Sequence, residues 1–101
     1  MKAESYRKYC EVESMYPDAV VLIKSNDDTY KSFGSSAEYL ANIHSKMVSM
    51  DTIKDIGEIR SFSIQSSSVS DDIEKCVRLG KKVAIIEGVD NKQSEINRKF
   101  A

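Results

Sequence analysis

The sequence predicts an α/β fold in which a mixed β-sheet is flanked by helices. Two runs of apolar, mostly β-branched residues have the length of strands that are buried on both faces, Ala19–Ile23 and Val83–Ile86. Segments with helical periodicity precede the first run and lie between other strand-like segments. Strands of this kind that alternate with helices indicate a sheet packed against helices in layers.

The first elements are predicted to be a helix and a β-hairpin. Residues 2–15 place aromatic side chains on one side and charges on the other, and Pro17 ends this helix because a proline disfavours helical geometry in the preceding residue. Turn-forming residues 26–28 then separate the first strand from a second, Thr29–Phe33.

A second helix is expected to begin at Gly34–Ser36, with Ser35 as its N-cap and Glu38 completing a capping box. Its buried side is predicted from the helical spacing of its apolar residues and the histidine. These residues are Ala37, Leu40, Ala41, His44 and Met47 or Val48.

The middle of the chain carries two different patterns. Within Ser49–Glu58, apolar residues recur every third position, which suggests a short helical turn that Gly57 breaks. The next segment predicts a half-buried strand, with Ile59, Phe62 and Ile64 on one face.

A third helix is expected after Ser70 as N-cap, with acidic residues in its first turn and Gly80 as its C-cap. Residues 1–90 are therefore predicted to form one domain. Residues 91–101 are predicted to be a polar C-terminal tail, either mobile or a short terminal helix.

Composition and charge exclude several classes of protein. The net charge is -1 and the pI is about 5.8, so the basic surplus that supports strong autonomous nucleic-acid binding is missing. No apolar stretch is long enough to cross a bilayer, and the N-terminus does not resemble a signal peptide. The spacing of Cys10 and Cys76 matches no metal or redox motif, so we expect a cytoplasmic protein with reduced, semi-buried thiols.

Enzymatic chemistry is not expected. His44 is the only histidine, it is predicted to lie within a helix, and it has no partner at a spacing that a metal ion or a catalytic triad requires. The segment Gly80–Lys82 follows a helix, whereas a phosphate-binding loop follows a strand and opens a helix. We therefore predict no catalytic residue, no metal site and no cofactor.

Lysines near aromatic residues offer one candidate site. Lys24, Lys31 and Lys46, with Tyr30 and Phe33, could form a basic and aromatic patch that holds nucleic acid by phosphate contacts and stacking. The alternative is an exposed tyrosine and a core phenylalanine among scattered lysines, and the overall charge favours this alternative.

Three segments in order resemble the N-terminal domain of the MutS family of DNA mismatch-repair proteins. Tyr16–Asp18 matches the turn before the family's first strand. Asp27–Gly34 resembles the family segment Gly-Asp-Phe-Tyr-Glu-x-Phe-Gly, and Cys76–Glu87 resembles Leu-Val-x-x-Gly-x-x-Val-Ala-Ile-Cys-Glu. The resemblance covers roughly residues 5–90 and implies the family's α/β scaffold.

The resemblance also implies where the chain differs from a mismatch reader. In MutS, the phenylalanine of Phe-Tyr-Glu wedges beside the mispaired base and the glutamate bonds that base. Thr29 and Lys31 stand at these positions, and they supply neither an aromatic ring nor a hydrogen-bond acceptor with negative charge. Together with the patch, these positions give five candidate nucleic-acid-binding residues. They are Lys24, Thr29, Tyr30, Lys31 and Lys46.

Two functions follow as hypotheses. The first is a non-catalytic, MutS-like module that associates weakly and non-specifically with DNA but lacks the mismatch reader. The second is a protein-interaction or regulatory domain that does not bind nucleic acid. A continuous positive groove around Lys24, Lys31 and Lys46 would favour the first, and its absence would favour the second.

Overall fold

The computed structural model describes residues 1–25 and 27–87, and the backbone of residues 95–99. Its helices are α1 (Ala3–Met15), α2 (Gly34–Ile43) and α3 (Val69–Arg78), with a 3-10 turn at Ser66–Ser68. Its strands are β1 (Ala19–Lys24), β2 (Thr29–Phe33), β3 (Ser49–Ile53), β4 (Gly57–Gln65), β5 (Lys82–Glu87) and β6 (Glu95–Lys99).

The strands form one mixed sheet in the order β3-β4-β2-β1-β5-β6. β1 pairs in parallel with β5, so that Val20 lies beside Val83, and the other neighbouring strands are antiparallel. A parallel pair in the middle of a sheet is covered on both faces, which explains why β1 and β5 are the two continuous apolar runs. The predicted α/β fold with a mixed sheet is confirmed.

Helices cover both faces of the sheet. On one face, apolar side chains of β1, β4 and β5 pack against α2 and α3; the buried residues include Val20, Leu22, Phe62, Ile64, Val83, Ile85, Leu40 and Cys76. On the other face, alternate residues of β1 and β5 pack against α1; the buried residues include Val21, Ile23, Ala84, Ile86, Tyr9 and Val12. The core is therefore divided by the sheet into two layers.

Tyr9 fixes α1 to the sheet. Its ring is buried and meets the Phe33 ring edge to face, with centroids 5.0 Å apart. Its hydroxyl oxygen accepts the Phe33 backbone N–H at 3.0 Å and lies 3.1 Å from the Val21 carbonyl oxygen. One side chain thus joins α1 to both β1 and β2.

The prediction of a helical turn within Ser49–Glu58 was wrong. Residues Ser49–Ile53 form β3, an edge strand paired antiparallel with β4. Asp55 at φ +67 and Gly57 at φ +119 provide the tight turn between the two strands. The apolar residues at every third position therefore do not share one helix face, because this turn separates them. Ile53 and Ile59 instead pack on the α1 side of the sheet, where the hairpin of β3 and β4 brings them together.

The predicted face of β4 was also wrong in part. Ile59 packs on the α1 side, whereas Phe62 and Ile64 pack on the side of α2 and α3. Successive side chains of a strand alternate between faces, so residues an odd number apart cannot share one. Ser61 consequently points inward with Ile59 and is buried.

Both predicted N-caps were wrong. α2 begins at Gly34 with Phe33 as N-cap, so Ser35 does not cap it, and Glu38 pairs with Arg60 instead of completing a capping box. α3 begins one residue before Ser70, and its N-cap makes no side-chain hydrogen bond. The 3-10 turn that precedes α3 supplies its start in place of a capping serine.

Gly80 ends α3 as predicted. It lies at φ +84, its N–H donates to the Val77 carbonyl at 3.0 Å, and the Lys81 N–H donates to the Cys76 carbonyl at 2.9 Å. These two bonds form a Schellman motif, which favours glycine at the left-handed position.

The end of α2 differs from the prediction. The helix stops at Ile43, so His44 is its C-cap, and Met47 is 90% exposed rather than part of the buried stripe. Val48, the alternative to Met47 in the prediction, packs against the core. Ser45 at φ +54 occupies the left-handed position of a second Schellman motif.

The C-terminal segment is described only in part. Residues Glu95–Lys99 form a strand antiparallel to β5, rather than a short helix, and the other residues of the predicted tail lie outside the described part of the chain. Asn26, in the predicted turn between β1 and β2, also lies outside it. None of the helices in the described residues combines the length and apolar character needed to span a bilayer.

Candidate nucleic-acid interface

Thr29 begins β2 and is held inside the turn that precedes it. Asp28 adopts φ +62, and the Ser25 N–H donates to the Thr29 carbonyl at 2.8 Å, so the chain reverses tightly here. The Thr29 hydroxyl donates to Asp27 Oδ1 at 2.5 Å, and only 8% of the residue is exposed. Hydrogen bonds from Thr29 and then Ser25 lower the pKa of Asp27. Thr29 therefore contacts its own turn rather than extending from it.

Lys31 lies on the α1 side of the sheet, where the side chains of β2 meet those of β3 and β4. Its Nζ donates to Asp51 Oδ2 at 2.8 Å, and only 17% of the lysine side chain is exposed. The two charges cancel within the chain.

Lys24 and Tyr30 lie side by side on the opposite face, since they are cross-strand partners in the hairpin of β1 and β2. Lys24 Nζ donates to Ser66 Oγ at 2.7 Å and lies 3.4 Å from Asp28 Oδ1 and 4.9 Å from the centre of the Tyr30 ring. The Tyr30 hydroxyl donates to Glu87 Oε1 at 2.9 Å. Burial, followed by the hydrogen bond to Glu87, raises the pKa of Tyr30.

Lys46 stands apart from the other candidates, just beyond the end of α2. It is exposed and borders a groove of about 630 Å³ together with Tyr39, Asn42 and Met47. No carboxylate among the described residues forms an ion pair with Lys46.

The five candidate residues do not come together in one surface. Lys24 and Lys31 occupy opposite faces of the sheet, because Lys31 is the cross-strand partner of Ile23 and neighbouring residues alternate. Lys46 lies on the outer side of α2. A continuous positive groove around these three lysines, the feature that would favour the first hypothesis over the second, is therefore not formed. Phe33 is a core residue, as the alternative interpretation of the patch expected.

The family model of MutS domain I matches residues 4–101. The chain belongs to the MutS domain I family. No curated protein matches it. The predicted resemblance to the N-terminal domain of MutS is thereby confirmed, together with the α/β fold class.

One internal contact of this MutS domain I chain was not predicted from the sequence. His44 Nε2 lies 3.0 Å from Asp72 Oδ1, at the distance of an ion pair, and the His44 ring stacks on Phe62 with centroids 5.5 Å apart. Among the described residues, His44 Nε2 and Asp72 Oδ2 have no hydrogen-bond partner. The contact joins the end of α2 to α3.

Asp72 is 3% exposed, and Cys76, one helical turn later, is buried beside it. Burial, followed by the charge of Asp72, raises the pKa of the Cys76 thiol, and Lys81 acts in the opposite direction. Asp72 and Cys76 are four residues apart, so they were predictable as neighbours on one face of α3. The contact between Asp72 and His44 depends instead on how α2 and α3 pack. In the described residues of the domain, no three His, Cys, Asp or Glu side chains are grouped so that they could hold a metal ion.

Proposed function

We propose that this chain is a non-catalytic MutS domain I module that associates with DNA without reading mispaired bases. Family membership supports the mismatch-repair type of scaffold and is the ground for DNA association, whereas the missing continuous groove around Lys24, Lys31 and Lys46 favours the second hypothesis. One observation carries the loss of the reader: the side chains at both reader positions are bound to carboxylates of the same chain. Thr29 donates to Asp27, and Lys31 donates to Asp51.

Neither side chain suits the chemistry of mismatch reading. A wedge must replace the stacking energy that is lost when a base step is opened, and Thr29 has only a methyl group and a bound hydroxyl to offer. The base-contacting position requires an acceptor, and the Lys31 ammonium is a donor only. We therefore expect no preference for a mispaired duplex.

Association with DNA would then depend on phosphate contacts, which position a protein without reading sequence. Such contacts are weakened here because Lys24 and Lys31 are neutralised by Asp28 and Asp51. The net charge of -1 gives no long-range attraction to the phosphate backbone. The affinity is accordingly expected to be low and to fall steeply with salt.

Fluorescence anisotropy with three labelled DNAs tests this proposal. A perfect duplex, the same duplex with one mispair and its single strand are titrated with the protein at about 50 mM and about 200 mM salt. We expect equal affinity for the two duplexes and weaker binding at the higher salt. A lack of binding to all three at the lower salt rejects DNA association, and a preference for the mispair shows that the reader has not been lost.

A protein-interaction domain is the second candidate, and the exposed edge of the sheet favours it. Among the described strands none lies on the outer side of β3, and Met50 on this strand is 55% exposed, close in sequence to the exposed Met47. Unpaired strand edges accept an extended segment of another chain. Capture experiments with the wild type and Met50→Lys, with Met15→Lys as the matched control for another exposed methionine, test this function. A partner that is retained by Met50→Lys does not use the edge.

A further inference from the structure

We propose a single-strand-binding site in the α2 groove, the surface formed by Tyr39, Lys46, Met47 and the neighbouring Lys81. The proposal rests on the DNA association proposed above and assigns it to a surface outside the turn between β1 and β2. The ligand class is single-stranded nucleic acid, whose bases are free to stack on a side chain.

The α2 groove is a broad, shallow depression open to solvent, and its lining includes Tyr39, Asn42 and Lys46. Met47 at its end is exposed, so an apolar surface lies beside a polar and aromatic wall. Such a mixed lining suits a nucleobase with an attached phosphate.

The charged groups around the groove that are not paired within the chain are positive. Among the described residues that line it, Glu38 is the one with a carboxylate, and Arg60 donates a hydrogen bond to this carboxylate. Lys46 has no ion-pair partner in the described residues, and Lys81 Nζ lies 5.2 Å from the centre of the Tyr39 ring. The groove therefore retains two ammonium groups, in contrast to the neutralised Lys24 and Lys31.

Aromatic rings accompanied by lysines hold single strands, and here Lys81 lies over the Tyr39 ring while Lys46 belongs to the same lining. A base stacks on Tyr39 in place of the Lys81 ammonium, and Lys81 then turns to a phosphate while Lys46 contacts the next one. A duplex cannot bind in this way because its base faces are stacked inside the helix. The same ring with two cations would hold an acidic peptide less well, since a carboxylate adds no stacking to the ion pairs.

The test compares binding of a labelled twelve-nucleotide oligothymidylate at about 50 mM salt between variants. Tyr39→Leu keeps an apolar side chain against the core, and we expect it to weaken binding by about tenfold, the effect of losing one stacked base. Lys46→Glu and Lys81→Glu should each weaken binding by a similar factor and reduce its salt dependence. Lys54→Glu reverses an exposed lysine in the turn between β3 and β4 and should leave binding within about twofold.

The outcomes separate this inference from the proposed function. Binding of the oligothymidylate that is unchanged in Tyr39→Leu and Lys46→Glu overturns the groove and leaves DNA association standing. Binding of the duplex without binding of the oligothymidylate likewise overturns the groove and leaves DNA association standing. A lack of binding to every DNA overturns both. If Tyr39→Leu does not fold, the changes in the backbone amide NMR chemical shifts of the wild type on adding the oligothymidylate decide. Changes at Tyr39, Lys46 and Lys81 support the groove, and changes confined to the turn before β2 refute it.

Discussion

Lys31 and Asp51 form an ion pair between strands that are not neighbours, since β4 lies between β2 and β3. The Nζ of Lys31 lies 2.8 Å from Asp51 Oδ2, over the backbone of the intervening strand. A lysine thus stands where the family resemblance implies a base-contacting glutamate, and its charge is used to tie β3 to the sheet. Lys31 is therefore engaged within the chain, in a contact that also joins β3 to β2.

Exchanging the two charges tests this contact. Lys31→Glu or Asp51→Lys places like charges together in a half-buried site, and each change should lower the free energy of unfolding by about 1–2 kcal/mol, between the values for exposed and buried pairs. The double variant restores opposite charges and should recover at least half of the loss. Urea unfolding of the wild type, the two single variants and the double variant measures the coupling energy. Single variants as stable as the wild type would show that the ion pair does not stabilise the fold.

The Tyr9 hydroxyl is expected to contribute more to stability than its size suggests. Tyr9→Phe keeps the ring but leaves the buried Phe33 N–H without its acceptor, which should cost about 1–3 kcal/mol. Tyr6→Phe removes a hydroxyl from a half-buried ring on the same helix and serves as the control, with an expected loss below about 0.5 kcal/mol. Equal losses in the two variants, measured by urea unfolding, would contradict this role.

The strands that the sequence predicted best are those whose two faces are both buried. In β1 and β5, burial on both sides leaves an uninterrupted apolar run that no other element explains. β3 carried no such signal, because only Ile53 of its five residues is buried. Its strand conformation comes from pairing with β4, which is a non-local contact that periodicity does not reveal.

The candidate site was predictable only as a set of residue types. That Lys24 and Lys31 lie on opposite faces follows from the alternation of side chains in a hairpin, but their carboxylate partners do not follow from it. Asp51 reaches Lys31 only because β3 folds back along β4, and Asp72 reaches His44 only because α3 packs beside the end of α2. Tertiary packing therefore decided which lysines keep a free charge.

Alkaline conditions should destabilise the domain through its tyrosines. Burial raises the pKa of Tyr6 to about 12 and raises that of Tyr9 further above its usual value. In the unfolded chain both hydroxyls ionise near pH 10, so the unfolded state loses protons that the folded state still holds. Stability should be complete below about pH 10 and fall as the pH rises towards 12 and beyond.

Thermal unfolding between about pH 8 and pH 11.5 measures this dependence. The decline above pH 10 should be shallower in Tyr9→Phe, because one buried group no longer ionises on unfolding. A decline of unchanged slope in that variant would assign the effect to other groups.

Ser45 is a site where glycine should stabilise the protein. It adopts φ +54 after α2, and a left-handed conformation costs a residue with a Cβ about 1 kcal/mol more than glycine. Part of this gain is offset by the greater freedom of glycine in the unfolded chain, so we expect Ser45→Gly to add about 0.5 kcal/mol. Ser63→Gly, at an exposed position within β4, should have the opposite sign in the same unfolding assay.

The contact between His44 and Asp72 is expected to be costly to break and inexpensive to replace. His44→Leu removes the ring that stacks on Phe62 and the nitrogen that lies 3.0 Å from the buried Asp72 carboxylate, and it should lower the free energy of unfolding by about 2–4 kcal/mol. Replacing both residues by leucine removes the buried charge as well, and the double variant should be more stable than His44→Leu alone. Asp71→Asn, on the exposed side of the same helix, should change stability by less than about 0.5 kcal/mol. Urea unfolding at neutral pH measures these differences. A double variant less stable than His44→Leu would contradict the prediction. It would mean that the buried Asp72 carboxylate stabilises α3 independently of the histidine.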